Sequence, residues 1–205
     1  MKKYCTIYLV RHGETEWNAD GIIQGHSDIP LNKNGERQAK ELGKKLNSID
    51  FDAVFSSDLV RAKKTVKVIT TGKKINIITS IALRERDFGS YEGKHFSLLS
   101  KDETNELISL YDHKEKKREE LGVETDRSLE ARFVPYIKKI CHQNLDKKVL
   151  LVTHGGIMRW FLMYIKFGNI KSLPVGSIDN MAYAKIESDG IDFIVKETSG
   201  ITKRE

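Results

Sequence analysis

Cysteine, proline and long apolar runs are all scarce in this 205-residue chain, and each scarcity removes a class of protein. The two cysteines, Cys5 and Cys141, stand alone. That leaves no disulfide framework and no thiolate cluster, and both thiols are expected to be reduced and buried in a cytosolic protein. With three prolines, no repeat and no low-complexity tract, nothing marks an interdomain linker. One domain over residues 1–199, followed by a loose tail at 200–205, is expected. No stretch of about 18 uncharged apolar residues exists to span a bilayer. Met1-Lys2-Lys3 and the apolar run to Val10 mimic the start of a signal peptide, but the run is short, ends in Arg11-His12 and lacks a small-residue cleavage site. A cytoplasmic protein, off the membrane, is expected.

Blocks of single-sign charge are missing too. Lys and Arg total 35 against 29 Asp and Glu, a net charge of +6. Acids and bases are interleaved, as in residues 112–120, which reads as a solvated helical face rather than a nucleic-acid arm. The surplus would draw in a small anionic substrate if arginines converge on a cleft. Metal-ligand spacings are also lacking: there is no His-x-His, no His-Glu-x-x-His and no cysteine cluster. That counts against a metallohydrolase built on His12, Asp58, Glu85 and His154. A P-loop fails as well, because three residues rather than four separate Gly89 from Gly93-Lys94, and His95 stands where a magnesium-binding Ser or Thr belongs.

What is present is a repeated arrangement of strand, histidine and glycine. Thr6-Ile7-Tyr8-Leu9-Val10 is β-branched and aromatic, too short for a typical helix, and predicts a buried strand ending at Arg11-His12-Gly13-Glu14. Val149-Leu150-Leu151-Val152 predicts another, leading into Thr153-His154-Gly155-Gly156. Between Glu14 and Leu31, Gly21, Gly25, Asp28 and Pro30 predict a short helical turn and a loop roofing the cleft. A helix over 32–46 is capped by Asn32 or Asn34. A strand at Ala53–Ser56 is followed by a helix capped through Ser57-Asp58, with Ala62, Thr65, Val66 and Ile69 facing inward. Lys74–Ile78 can form a third strand. Residues 94–125 read as a poorly patterned, lid-like helical excursion with Phe96, Leu107, Ile108, Leu110 and Tyr111 as apolar positions. A helix over 125–143 should kink or break at Pro135. Ile157, Trp160, Phe161, Tyr164 and Ile165 carry the clearest helical period of the chain. Met181–Glu187 and Ile191–Lys196 predict a hairpin. The alternation describes a three-layer α/β/α sandwich whose mostly parallel sheet ends in an antiparallel edge strand.

In such a sheet Arg11, His12, Arg61 and His154 all fall at strand carboxyl ends, where open α/β sheets bind ligands. Arg61 lies in the first turn of its helix, where a cation is unfavourable to the macrodipole; an anion held there would reverse the sign. Two guanidinium forks suit a tetrahedral dianion. A neutral imidazole can take the phosphoryl group as phosphohistidine, and a second can donate to its oxygens. Glu85, between Arg84 and Arg86, is the candidate acid and base, although Glu14 and Glu92 also fall near the cleft. In the bland alternative, Arg61 pairs with Asp58 or Glu36 and Glu85 with Arg84 or Arg86, while His26, His95, His113 and His142 are surface or supporting residues.

Leu9–Asn18, Gln24-Gly25, Pro30-Leu31, Ser56–Ala62, Leu83-Arg84-Glu85, Gly89, Glu92-Gly93 and Thr153–Gly156, in that order, resemble the histidine phosphatase superfamily, also called phosphoglycerate mutase-like. The likeness implies His12 as phosphorylated nucleophile, Arg11, Arg61 and His154 as the rest of the phosphate pocket, and Glu85 as acid/base. It also implies that Asn18, Gln24, Gly25 and Gly155 meet the substrate, a small phosphorylated metabolite, without metal or other cofactor. Two departures favour a phosphomonoesterase over a cofactor-dependent mutase. Leu121-Gly122-Val123-Glu124-Thr125 replaces a Pro-Gly-Gly-Glu-Ser-like stretch, and Lys117-Arg118, with no proline nearby, is the nearest counterpart of an Arg-Arg pair in the lid. A non-catalytic phosphate-binding scaffold is the third reading.

Overall fold

The structure, a computed structural model, describes residues 2–100 and 115–204, with 115–117 as backbone alone. The apolar run near the start becomes β1 (Cys5–Arg11), followed by α1 (Glu16–Ala19), α2 (Lys33–Lys45), β2 (Ala53–Ser57), α3 (Val60–Ile69) and β3 (Ile77–Ser80). After 3₁₀ turns at Ile81–Leu83, Gly89–Tyr91 and Phe96–Leu98 come α4 (Glu115–Glu120), α5 (Asp126–Gln143), β4 (Lys148–Thr153), α6 (Gly155–Tyr164), β5 (Ile178–Ser188) and β6 (Phe193–Ile201). The strands form one sheet in the order β3-β2-β4-β1-β5-β6. The first four are mutually parallel, while β5 and β6 add an antiparallel margin.

Alternation along the strands builds the three layers, because successive side chains leave opposite faces. Ile7, Leu9, Phe55, Val149 and Leu151 pack with Phe133 and Ile137 of α5 and with Ile157 and Phe161 of α6. Tyr8, Val10, Val54, Leu150 and Val152 pack instead with Leu42 of α2 and Val66 of α3. Both faces are covered, which is why β1 and β4 are apolar throughout rather than alternating. Among the described residues, no helix is long and apolar enough to cross a membrane.

Several elements differ from expectation. The third strand starts at Ile77, not Lys74: backbone bonds from Lys73 to Thr70 and from Ile75 to Lys73 keep that segment turning, and pairing with Val54 begins only at Ile77. Leu59, not Ser57 or Asp58, is the N-cap of α3, and it makes no side-chain cap bond. Asp58 is taken by Arg84, whose Nε and Nη2 donate to it at 2.8 and 2.6 Å, and Asp28 receives the Val60 N–H at 2.6 Å instead. α5 runs unbroken through Pro135, carried by the burial of Phe133, Val134 and Ile137 around it. The C-terminal residues are not a loose tail. β6 extends through Ile201, and the Thr202 and Arg204 N–H groups donate to Ser177 and Ser172 at 2.8 Å. Of the lid-like excursion, Leu107, Ile108, Leu110 and Tyr111 lie outside the described residues, as does His113. Its first part is bridged to the roof loop through Ile22 and His95.

Candidate active site

β1 and β4 lie side by side, with Arg11 opposite Thr153. The next residue on each is a histidine, and the two imidazole centroids are 5.0 Å apart. His12 is anchored by its own N–H, which donates to the Thr153 carbonyl at 2.9 Å. Its Nδ1 lies 2.7 Å from the Gly13 carbonyl oxygen. A carbonyl only accepts, so Nδ1 carries the proton and Nε2 presents a lone pair. Arg61 Nε lies 3.3 Å from that Nε2 and 3.2 Å from Nδ1 of His154. Because the guanidinium only donates, His154 Nδ1 must accept, which leaves a proton on its Nε2, a buried atom with no partner among the described residues. Burial, and then the charge of Arg61, hold both imidazoles well below their ordinary pKa. Both are therefore neutral at pH 7, and His12 is the better nucleophile for it.

Arg61 is fully buried, with Nη1 donating to the Ser27 carbonyl at 2.8 Å and Nη2 to that of Gly25 at 2.7 Å. Burial lowers its pKa to about 10, so it stays cationic at neutral pH. Arg11 donates through Nη1 to the Ile178 carbonyl, and its Nε is buried without a partner among the described residues. The two glycines after His154 make room for the charged groups. A Cβ at Gly155 would stand 2.9 Å from Arg11 Nε, and one at Gly156 would stand 2.7 Å from Glu85 Oε1. The Glu85 carboxylate thereby sits on the N-terminus of α6. It accepts from the N–H groups of Gly156 and Ile157 at 2.8 and 2.7 Å, and from its neighbour Arg86 at 2.9 Å. Three of about four lone-pair sites are thus filled, leaving about one for a transferable proton.

A cleft of about 410 Å³ opens here, lined by Arg11, His12, Asn18, Gln24, Gly25, Arg61, Glu85 and Gly155 among others. Every residue expected at the site except His154 contributes to its wall; His154 is wholly buried. The bland pairings are not made: Asp58 goes to Arg84, Glu36 to Lys64 and Arg86 to Asp126. Glu14 is absent from the cleft wall and receives the Asn32 amide at 2.8 Å. Glu92 is structural, accepting from His26 N, Ser27 N, Ser27 Oγ and Phe88 N at 2.7, 2.8, 2.7 and 3.2 Å. It buckles the roof loop around Gly25, whose φ of 52° favours glycine. Asn180 donates to the His12 carbonyl and to Asn18 Oδ1 at 3.2 and 3.3 Å, which turns the Asn18 amide nitrogen away from that contact. Neither Asn180 nor Glu92's role has a local sequence signal. Arg159 has one: it is the only charged residue of an otherwise apolar α6.

Neutral imidazoles, permanent cations and one capped carboxylate around one cleft make a site suited to a phosphoryl group. The histidine phosphatase superfamily (branch 1) model matches residues 7–199, and the chain belongs to that family. It is 33% identical over 163 residues to the Bacillus subtilis (strain 168) protein named Uncharacterized phosphatase PhoE, covering 80% of this chain and 78% of that one. It is 35% identical over 149 residues to a Klebsiella pneumoniae protein named Probable phosphoglycerate mutase GpmB, covering 73% and 69%. The fold matches a phosphoglycerate mutase structure from Bacillus anthracis with a TM-score of 0.83 at 24% identity, over 98% of this chain and 94% of that one. The relatives' names thus span hydrolysis and transfer of phosphoryl groups.

Proposed function

We propose that the protein is a metal-independent phosphomonoesterase of small phosphorylated metabolites, acting through a phosphohistidine at His12. The observation that carries this is the His12 imidazole itself: neutral, pinned at Nδ1, with its Nε2 lone pair beside Arg61. Nε2 attacks phosphorus as the ester P–O bond breaks, and the leaving oxygen takes a proton from Glu85. Glu85 then takes a proton from water, the water oxygen bonds phosphorus, the P–N bond breaks, and phosphate leaves. Arg11 and Arg61 neutralise the dianion, and the unpartnered Nε2–H of His154 is the donor for charge developing on the phosphoryl oxygens.

Two further features support the details. A guanidinium N–H lies within hydrogen-bond reach of a nitrogen of each imidazole, where a metal shared by the pair would have to be bound. Of the Lys117-Arg118 counterpart to a lid arginine pair, Arg118 is buried against Asp126 at 2.9 Å and is not among the residues lining the cleft. A mutase needs its phosphoenzyme shielded and its acceptor held, and Arg118 is engaged elsewhere.

The test is a product assay on the purified chain in chelator, with a panel of phosphate esters and with 3-phosphoglycerate plus 2,3-bisphosphoglycerate. Free phosphate and acid-labile, base-stable labelling of the protein are expected, and His12→Ala should lose both. Full activity in His12→Ala would overturn the mechanism. Isomerisation with little free phosphate would establish a mutase, loss of activity in chelator a metalloenzyme, and no turnover of any ester a phosphate-binding scaffold.

A further inference from the structure

Arg159 is a buried cation without a counterion. Its side chain is 7% exposed and lines the same cleft as Arg11 and His12. Nε donates to the Leu173 carbonyl at 2.6 Å, whereas Nη2 is buried with no partner among the described residues. Among the described residues no carboxylate forms an ion pair with it. The other cleft arginines have acidic groups near them: Arg61 lies in the field of Glu85, Asp28 and Glu92, Arg86 has Asp126, and Arg11, though its Nε also lacks a partner among the described residues, lies in the field of Glu85 and Asp179. Burial and the nearby charge of Arg86 both press Arg159 toward losing its proton. An arrangement that leaves a desolvated guanidinium beside another is unfavourable in the empty protein and points to a group that arrives with the ligand.

The position fits. Arg159 follows Gly155 by four residues on α6, so both lie on one helix face, about 6 Å apart along the axis. Helical side chains lean toward the N-terminus, which aims Arg159 back toward Gly155, and the Arg11 guanidinium rests on that glycine. Two arginines, Arg11 and Arg61, already match the charge of one phosphate dianion. Arg159 is one cation more than a simple ester requires. The cleft also presents Phe88, Phe96, Val175 and Ile178, apolar walls suited to a short carbon skeleton.

We propose that Arg159 is a specificity-determining residue that binds a second anionic group of the substrate, a carboxylate or a second phosphate, a few carbon atoms from the phosphoryl group. The inference names the substrate class of the phosphomonoesterase described above and rests on that reading for its biological meaning. Its test does not require turnover.

Binding of glycerol 3-phosphate, 3-phosphoglycerate and glycerol 1,3-bisphosphate to the full-length His12→Ala chain is measured by calorimetry, with Arg159 intact and as Arg159→Met. With Arg159 present, at least one doubly anionic ester should bind about tenfold or more tighter than glycerol 3-phosphate, as a charge-assisted fork predicts. Whichever of the two gains more identifies carboxylate or phosphate. Arg159→Met should cut that preference below threefold while leaving glycerol 3-phosphate affinity within threefold. A preference that survives Arg159→Met overturns the assignment, and so does its absence from the Arg159 protein, a result that needs no folded variant. If Arg159→Met fails to fold, Arg159→Gln takes its place. Should the preference depend on Arg159 while the wild-type chain hydrolyses no ester of the wider panel, the phosphomonoesterase reading is what fails.

Discussion

Keeping two imidazoles neutral among arginines makes the fold sensitive to acid in a calculable way. In the unfolded chain His12 and His154 titrate near 6.5, whereas in the folded protein burial and Arg61 hold both well below that. The unfolded state therefore binds more protons. The contribution of each histidine is intact above about pH 6.5 and is lost progressively as pH falls toward the depressed folded value. From RT ln(1 + 10^(6.5−pH)), each ring removes up to about 2 kcal/mol between pH 7 and pH 5, and the pair up to about 4. That is a large share of the roughly 5–15 kcal/mol of an ordinary domain. Carboxylates titrate in part of the same range, so the informative quantity is a difference. Urea unfolding of the wild type and of the chain carrying His12→Gln with His154→Gln is compared at pH 7, 6 and 5 in phosphate-free buffer. The wild type should lose up to about 4 kcal/mol more than the variant over that interval. Parallel pH profiles would mean that the folded rings take up protons as readily as the unfolded chain does, and the burial-driven depression of both imidazoles would fall with that result.

Two further perturbations probe the carboxylates. In Gly156→Ala the new Cβ would meet Glu85 Oε1 at 2.7 Å and displace it from α6. A fall in kcat on the order of 10²-fold with little change in KM is expected in steady-state kinetics, and an unaltered kcat would remove Glu85 as the proton carrier. Glu92→Gln keeps the shape but puts an NH₂ where Ser27 and His26 donate. A loss of about 1–3 kcal/mol, visible as a lowered melting temperature, should accompany a several-fold rise in KM, because the roof loop also holds Arg61. An unchanged KM would show that the loop plays no part in binding.

Legibility from sequence followed the range of the forces involved. Strands buried on both faces must be apolar throughout, so β1 and β4 could be read directly, and with them the histidines at their ends. Arg61 was legible because it broke a local rule, a cation in the first turn of a helix. The glycines after His154 stood out in the motif, but that Arg11 and Glu85 come within 3 Å of where their Cβ atoms would be is visible only in the fold. Asp58 shows the opposite case: its capping preference is local, but Arg84, 26 residues away, binds it more strongly. Glu92 and Asn180 act on residues 65 or more positions distant, at His26, Ser27 and His12. The start of β3 and the length of β6 depend on partner strands, which no window of sequence contains.

The spacing of the two histidines is a property of the sheet. Their centroid distance of 5.0 Å is close to the roughly 4.8 Å that separates neighbouring strands, so one rung of peptide hydrogen bonds serves as the ruler for the chemistry. Such a ruler is indifferent to whatever is built over it. Replacing a cleft-wall side chain such as Phe96 would leave the rung that spaces the imidazoles in place. One residue inserted within β4 would turn every following side chain to the other face and take the site apart. The spacing of the two imidazoles is therefore fixed by backbone pairing, independently of the side chains that line the cleft.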